Sequence, residues 1–227
     1  MQLLHPSTVV LLIALPDSHE AGRKSVASLS TWRAMRRLVE QKALAAGLPL
    51  LSSDQLIDHQ GSFGTQLSSA VSAAFALGYD RVICVGNDCP DLSPADLRRA
   101  ANALAAGQLP AGPDRRGGLY LVGFDQTRFK ADAVAQLPWQ TSQLADALRQ
   151  FVSSQDTALL ELPVRTDLNN SADIIRIRWT GQVASRLLNT IRQALSPTRT
   201  AACSGRCGSG LALATDPSSG RAPPLVA

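Results

Sequence analysis

The segment from Arg81 to Leu97, RVICVGNDCPDLSPADL, constrains the fold more than any other part of the chain. Arg81 to Gly86 is a continuous apolar run of strand length, the pattern of a strand covered on both faces in a parallel sheet. Gly86 ends the run, and Asn87-Asp88-Cys89-Pro90 turns the backbone at the carboxyl end of that strand. Ser93, with Pro94 as the first helical residue and Asp96 at the third, is a helix-start signature. Ligands of open α/β sheets sit outside the carboxyl ends of the strands. Asp88 is therefore the acid placed to face a ligand; the plainer alternative is a turn residue bonding its own backbone.

The same alternation repeats on both sides of this unit. Thr8 to Pro16 reads as a first strand, followed by a polar loop, Asp17 to Lys24. Ser30 is placed to cap a helix to about Ala46, with Trp32, Met35, Leu38 and Val39 on one face and Gly47 as its stop. Leu48 to Leu51 is a short strand, and the loop Asp58 to Gly64 leads into a helix from Thr65 to Leu77. After the helix Pro94 to Ala106 come a strand, Gly117 to Phe124, and a helix, Thr141 to Val152. Ala158 to Pro163 is strand-like, and a helical region from Ser171 extends to Leu195. Repeated βα units predict a three-layer α/β/α sandwich, Rossmann-like, with a mostly parallel sheet.

Composition enters as a set of exclusions. With 45% apolar and 18% charged residues the chain is ordinary globular material, and its net charge of +4 is scattered. No basic run is interleaved with aromatics, so nothing supports nucleic-acid binding. Val9 to Leu15 is too short to span a bilayer and lacks a basic flank. The four cysteines form no disulfide framework; Cys203 and Cys207 have no further ligand at zinc spacing, and His5, His19 and His59 stand alone. A reduced, cytoplasmic setting follows as the expectation. From Ser196 the composition turns to Ser, Thr, Gly, Pro and Ala, which predicts a domain over 1–195 and a disordered tail over 196–227.

Five ordered motifs then carry a resemblance. They are QGSFG (Gln60 to Gly64), GNDCPDL (Gly86 to Leu92), GP-x-x-x-GG-x-YL-x-G (Gly112 to Gly123), PWQTS (Pro138 to Ser142) and DLNNSADI (Asp167 to Ile174). Together they resemble a bacterial family of glycosyltransferase-like proteins with the GT-A fold of nucleotide-diphospho-sugar transferases. That family is itself similar to the guanylyltransferases that activate phospholactate and molybdopterin. The resemblance implies a GT-A fold and a transferase using a nucleotide-linked donor and an unidentified small acceptor.

The resemblance also assigns roles. Asp88 matches the family's metal-binding Asp, and Asp167 and Asn169 match its second acidic motif. Mg2+ or Mn2+ suits such oxygen donors and would stabilise charge on the leaving phosphate. Gly61, Gly64, Gly117 and Gly118 mark loops where a ligand can approach backbone, against the alternative of tight turns. Trp139 would line the acceptor pocket, or else anchor the core.

Two departures qualify this. Arg116, beside Arg115, stands where the family has an Asp, and it supplies donors suited to phosphate or carboxylate. The N-terminal loop keeps only Pro16, Gly22, Arg23 and Lys24 of a phosphate-gripping motif, leaving Arg23 and Lys24 to neutralise phosphate. Three functions follow: sugar transfer from a nucleotide-diphosphate sugar, nucleotidyl transfer to a phosphorylated acceptor, and a non-catalytic nucleotide- or partner-binding module. Oligomeric state is not encoded in any of these features.

Overall fold

The computed structural model describes residues 8–14, 29–58, 60–155, 157–170, 172–177 and 182–195. The loop holding Arg23 and Lys24, the three histidines and the tail from Ser196 with Cys203 and Cys207 lie outside the described residues.

Six strands form one sheet: β1 (Thr8–Leu12), β2 (Leu50–Ser52), β3 (Arg81–Val85), β4 (Leu109–Pro113), β5 (Leu119–Asp125) and β6 (Leu159–Glu161). Their spatial order is β2-β1-β3-β5-β4-β6. The pairs β2/β1, β1/β3 and β4/β6 are parallel, while β5 runs against both β3 and β4. The sheet is thus mostly parallel, with one reversed strand inside it. That reversal matters for the site, because it brings the start of β5 to the carboxyl ends of its neighbours: Val85 pairs with Leu121.

Strand alternation sorts the apolar runs onto two faces. Val9, Leu11, Val82, Cys84, Val122 and Phe124 pack with Leu67, Ala70, Val71 and Ala74 of α2 (Phe63–Ala76). Val10, Leu12, Ile83, Val85 and Leu121 face the other way. There they meet Val39 and Ala43 of α1 (Leu29–Ala46) and Leu97, Ala100 and Leu104 of α3 (Pro94–Ala105). Both faces are covered, which is why β1 and β3 read as unbroken hydrophobic runs. A third cluster joins Trp32, Met35 and Leu38 of α1 to Leu168, Ile174, Leu187 and Ile191. It docks α7 (Gln182–Leu195) and the segment bearing Asp167 onto the sheet's helical layer.

Local chemistry accounts for most boundaries. Ser93 and Asp96 form the expected capping box, Asp96 N donating to Ser93 Oγ at 3.2 Å and Ser93 N to Asp96 Oδ2 at 2.9 Å. Ser62, not the predicted start at Thr65, caps α2 by accepting from Thr65 N. Ser30 lies inside α1 rather than at its cap. The predicted helix over 171–195 is interrupted: α6 (Asp173–Arg176) ends at Ile177, whose backbone is extended, before α7 begins.

The chain also contains an element that the sequence reading does not predict. β4 is LPAGP, full of strand-breaking residues. It is held because Gly112 leaves room for the Tyr120 ring, which would lie 2.4 Å from an added Cβ, and because Pro110 packs over Gly123. The two short helices α4 (Ala131–Ala135) and α5 (Leu144–Ser153) complete the layers, α5 starting three residues later than its predicted Thr141. No helix among the described residues is long and apolar enough to cross a membrane.

Candidate functional site

A cavity of about 700 Å³ opens where β1 and β3 end and β5 begins. Its wall includes Ala14, Gly86, Asn87 and Asp88 from the parallel strand ends, and Asp114, Arg116, Gly118 and Leu119 from the β4–β5 turn. Asp167, Asn169, Phe63 and Trp139 also line it. Six residues singled out in the sequence therefore share one cavity: Asp88, Arg116, Gly118, Trp139, Asp167 and Asn169.

Asp88 is shaped by its neighbours. Its Oδ1 lies 2.7 Å from where a Cβ on Gly86 would stand, so a larger residue before the turn would push the carboxylate aside. The Asp88 carbonyl accepts from Leu168 N at 2.7 Å, which splices the strand-end turn to the Asp167–Asn169 segment. Cys89 shares both carboxylates as electrostatic neighbours. Burial pushes its thiol well up, and Asp167 and Asp88 push it further, so it is a neutral packed group rather than a nucleophile. Beneath the turn, Lys42 donates to Pro90 O at 2.6 Å. Burial lowers its ammonium to about 8, and the neighbouring Asp91 and Asp96 pull only partly the other way.

Arg116 is tied into the fold as well as lining the cavity. Its Nη2 donates to both oxygens of Asp173, at 2.7 and 3.0 Å. Asp173 is 1% exposed and also accepts from the backbone amides of Asn169 and Asn170, each at 2.9 Å. Burial alone would raise the Asp173 carboxyl; Arg116 and the two amides outweigh it and hold it below the usual carboxylate value. Arg115 is likewise engaged, its Nε donating to Thr166 Oγ1 at 3.1 Å.

The carboxylate that the cavity has at this corner is Asp114, which sequence reasoning missed. Its Oδ1 accepts from Arg116 N and Gly118 N, both at 2.7 Å. The missed signal was the strand: once LPAGP is a strand, Asp114 follows its end just as Asp88 follows the end of β3.

The remaining glycines divide. Gly118 lines the cavity; Gly61, Gly64 and Gly117 do not. Gly117, at φ +84, would put a Cβ 2.0 Å from Ser142 O, and Gly64 would put one 2.2 Å from Ala135 O and 2.7 Å from the Trp139 ring. Both are close-packing positions. Gly61 is exposed at φ +82, and its carbonyl accepts from Gln66 Nε2. Trp139 is fixed from behind, Nε1 donating to Val134 O at 2.7 Å, with its ring 5.9 Å from that of Phe63. Gln140, beside it in the wall, is the one non-glycine residue at positive φ among the described residues.

Among the described residues no three His, Cys, Asp or Glu side chains stand at metal-binding spacing. The donors available at the Asp88 corner are two carboxylates, Asp88 and Asp167, with the Asn169 carboxamide. This set does not make an all-protein cage. It fits an ion that keeps waters and takes substrate phosphate oxygens, as Mg2+ and Mn2+ do.

A sheet of this order, ringed by helices on both faces with the cavity at its strand ends, is the GT-A fold of nucleotide-diphospho-sugar transferases. A candidate nucleotide-diphospho-sugar transferase from Desulfovibrio desulfuricans G20 has this fold, with a TM-score of 0.67 at 19% identity over 82% of this chain and 97% of that one. Residues 29–141, just under half of the chain, match the DUF2064 family, described as an uncharacterized protein conserved in bacteria. Two looser likenesses are Rv0371c and glucosyl-3-phosphoglycerate synthase. Rv0371c, from Mycobacterium tuberculosis H37Rv, has a TM-score of 0.47 and 17% identity over 74% of this chain and 95% of that one. The synthase, from Mycobacterium tuberculosis, is in complex with Mn2+, UDP and glucosyl-3-phosphoglycerate; its values are 0.39 and 14% over 82% and 78%. No curated protein matches the sequence.

Proposed function

We propose that the protein is a metal-dependent transferase that takes a nucleotide-diphosphate sugar and passes the sugar to a small hydroxyl-bearing acceptor. The observation that carries this is the hydrogen bond from Leu168 N to the Asp88 carbonyl. It ties Asp88 and the Asp167–Asn169 segment to one wall of a cavity large enough for a nucleotide sugar. Asp88, Asp167 and Asn169 would hold Mg2+ or Mn2+. The ion would supply charge stabilisation for the diphosphate leaving group.

The chain's own residues supply the rest. The Phe63 and Trp139 rings give an apolar wall on which a sugar face can rest. Asp114 is held by two backbone amides through Oδ1, so Oδ2 is available to accept a hydrogen bond from the acceptor hydroxyl and to take its proton. Asp114 would thus supply the carboxylate that is lost where Arg116 stands in place of the family's Asp. The alternative, nucleotidyl transfer to a phosphorylated acceptor, is favoured less, because Arg115 and Arg116, suited to that acceptor's charge, each bond within the fold, to Thr166 and Asp173.

The test is a thermal-shift and turnover panel of sugar nucleotides and nucleoside triphosphates, each with and without Mn2+, on wild type, Asp88→Asn and Asp114→Asn. A Mn2+-dependent shift lost in Asp88→Asn, with sugar-nucleotide consumption lost in Asp114→Asn, supports the reading. Turnover of a triphosphate without sugar overturns it.

A further inference from the structure

Asn87 is a cavity-wall residue with a buried amide donor that the described protein groups do not take up. It is 3% exposed, and its Nδ2 has no hydrogen-bond partner among the described residues. A buried amide donor left unmade costs stability comparable to a lost hydrogen bond. Native folds leave few such groups, and each one calls for a reason. Here the reason is its place: Asn87 lies between Gly86 and Asp88 on the cavity wall, at the end of β3. Two polar groups of the same wall are engaged elsewhere: Ser53 Oγ is bonded to Ala14 N and O, and the Asp88 carbonyl to Leu168 N. The terminal torsion of Asn is broad, so a turn of the carboxamide presents Nδ2 to whatever occupies the cavity.

We propose that Asn87 is a ligand-contacting residue whose carboxamide donates to an oxygen of the bound nucleotide sugar. This inference rests on the reading of the site given above. The donor substrate supplies the acceptor that no described protein group gives Nδ2. A carboxamide suits this position because it adds no charge beside Asp88 and therefore leaves metal binding to the carboxylates. Two parts of the substrate carry oxygens of the required chemistry, the diphosphate and the sugar.

The test uses the full chain with UDP, UDP-glucose, GDP and GDP-mannose, each with Mn2+, and Mn2+ alone, by calorimetric titration. Asn87→Ala is expected to bind the nucleotide that wild type prefers about tenfold more weakly while keeping wild-type affinity for Mn2+ alone. A loss seen equally with the nucleoside diphosphate places the contact on the diphosphate; a loss confined to the nucleotide sugar places it on the sugar. Asn87→Leu, close in size and free of the orphan donor, is expected to melt no lower than wild type without ligand. Equal nucleotide affinity in Asn87→Ala, a loss already complete with Mn2+ alone, or a lower ligand-free Tm in Asn87→Leu each overturn the proposal. Wild type that takes up none of the nucleotides overturns this and the parent reading together. Weaker binding in Asp88→Asn with Asn87→Ala unchanged overturns this one alone.

Discussion

Arg116 Nη2 reaches both carboxylate oxygens of Asp173, 57 residues away in sequence, at 2.7 and 3.0 Å. The pair ties the β4–β5 turn to the loop that carries Asp167 and Asn169. Asp173 in turn holds the amides of Asn169 and Asn170. An arginine that reads as a charge reversal in a catalytic motif is thus a strut between two walls of the cavity.

Removing it has a definite sign. Arg116 is 43% exposed, which screens the pair, but Asp173 is not exposed and would keep its charge with fewer donors. Arg116→Ala should lose about 1–2 kcal/mol in urea unfolding. Arg116→Asp should lose more, because it sets like charges together, and so should not create activity by restoring the family's residue. Acid unfolding gives a second readout. The Asp173 carboxyl is held below its unfolded value, so its stabilisation is present above the unfolded carboxylate range and is lost as pH falls through the lower folded value. In Arg116→Ala the folded value lies nearer the unfolded one, so the acid-dependent loss should be smaller and complete at higher pH.

The glycines separate packing from conformation. Gly117→Ala and Gly64→Ala each force a Cβ onto a backbone carbonyl, at 2.0 and 2.2 Å, and should cost about 3 kcal/mol or more. Gly47→Ala meets nothing within 4 Å although its φ is +76, so only the left-handed backbone term of about 1 kcal/mol remains. Denaturant midpoints of the three variants check the order. A Gly64→Ala protein as stable as Gly47→Ala would show that the α2–α4 contact is looser than described.

The metal corner predicts a linkage. A nucleotide at about 100 times its Kd adds about 2.7 kcal/mol to a fold that alone binds it. If Asp88, Asp167 and Asn169 share one ion, the Mn2+-dependent part of that gain should vanish in Asp88→Asn and in Asp167→Asn alike. A shift kept by Asp167→Asn would leave Asp88 as the ion's protein ligand and remove Asp167 from the set.

What the sequence made legible follows from where information is local. β3, its turn and the Ser93–Pro94–Asp96 start are written in adjacent residues, and each lies where the spacing puts it. The apolar runs of β1 and β3 state burial on both faces, hence the layered sheet. β4 was illegible because its residues disfavour a strand and its stability comes from Tyr120 and Gly123 across the sheet; with it went Asp114. The partner of Arg116 was illegible for a related reason, since a contact over 57 residues leaves no periodic trace. Gly117 and Gly64 showed a need for glycine, but not whether a ligand or a carbonyl fills the space. The break before α7 was hidden because Ile177 to Gly181 contains no proline and only a terminal glycine.

Lys42 gives the last prediction. Its ammonium lies under the Asp88 turn on Pro90 O, and burial lowers it from 10.5 to about 8. Between those values the unfolded chain binds the proton that the folded chain has released, so stability rises with pH across this window. Cys84 and Cys89, whose thiols burial pushes up, act in the opposite sense, because unfolding lets them ionise. They do so in wild type and in Lys42→Met alike, and their effect drops out of the difference between the two. The stability of wild type minus that of Lys42→Met should therefore grow by on the order of 2 kcal/mol between pH 7.5 and 10, since each proton released only on folding contributes about 1.4 kcal/mol per pH step of one. Urea unfolding at the two pH values measures it. A difference that stays flat would mean that the ammonium keeps its proton throughout, stabilised by Asp91 and Asp96 more strongly than burial opposes it, and the turn beneath Asp88 would then carry a fixed positive charge.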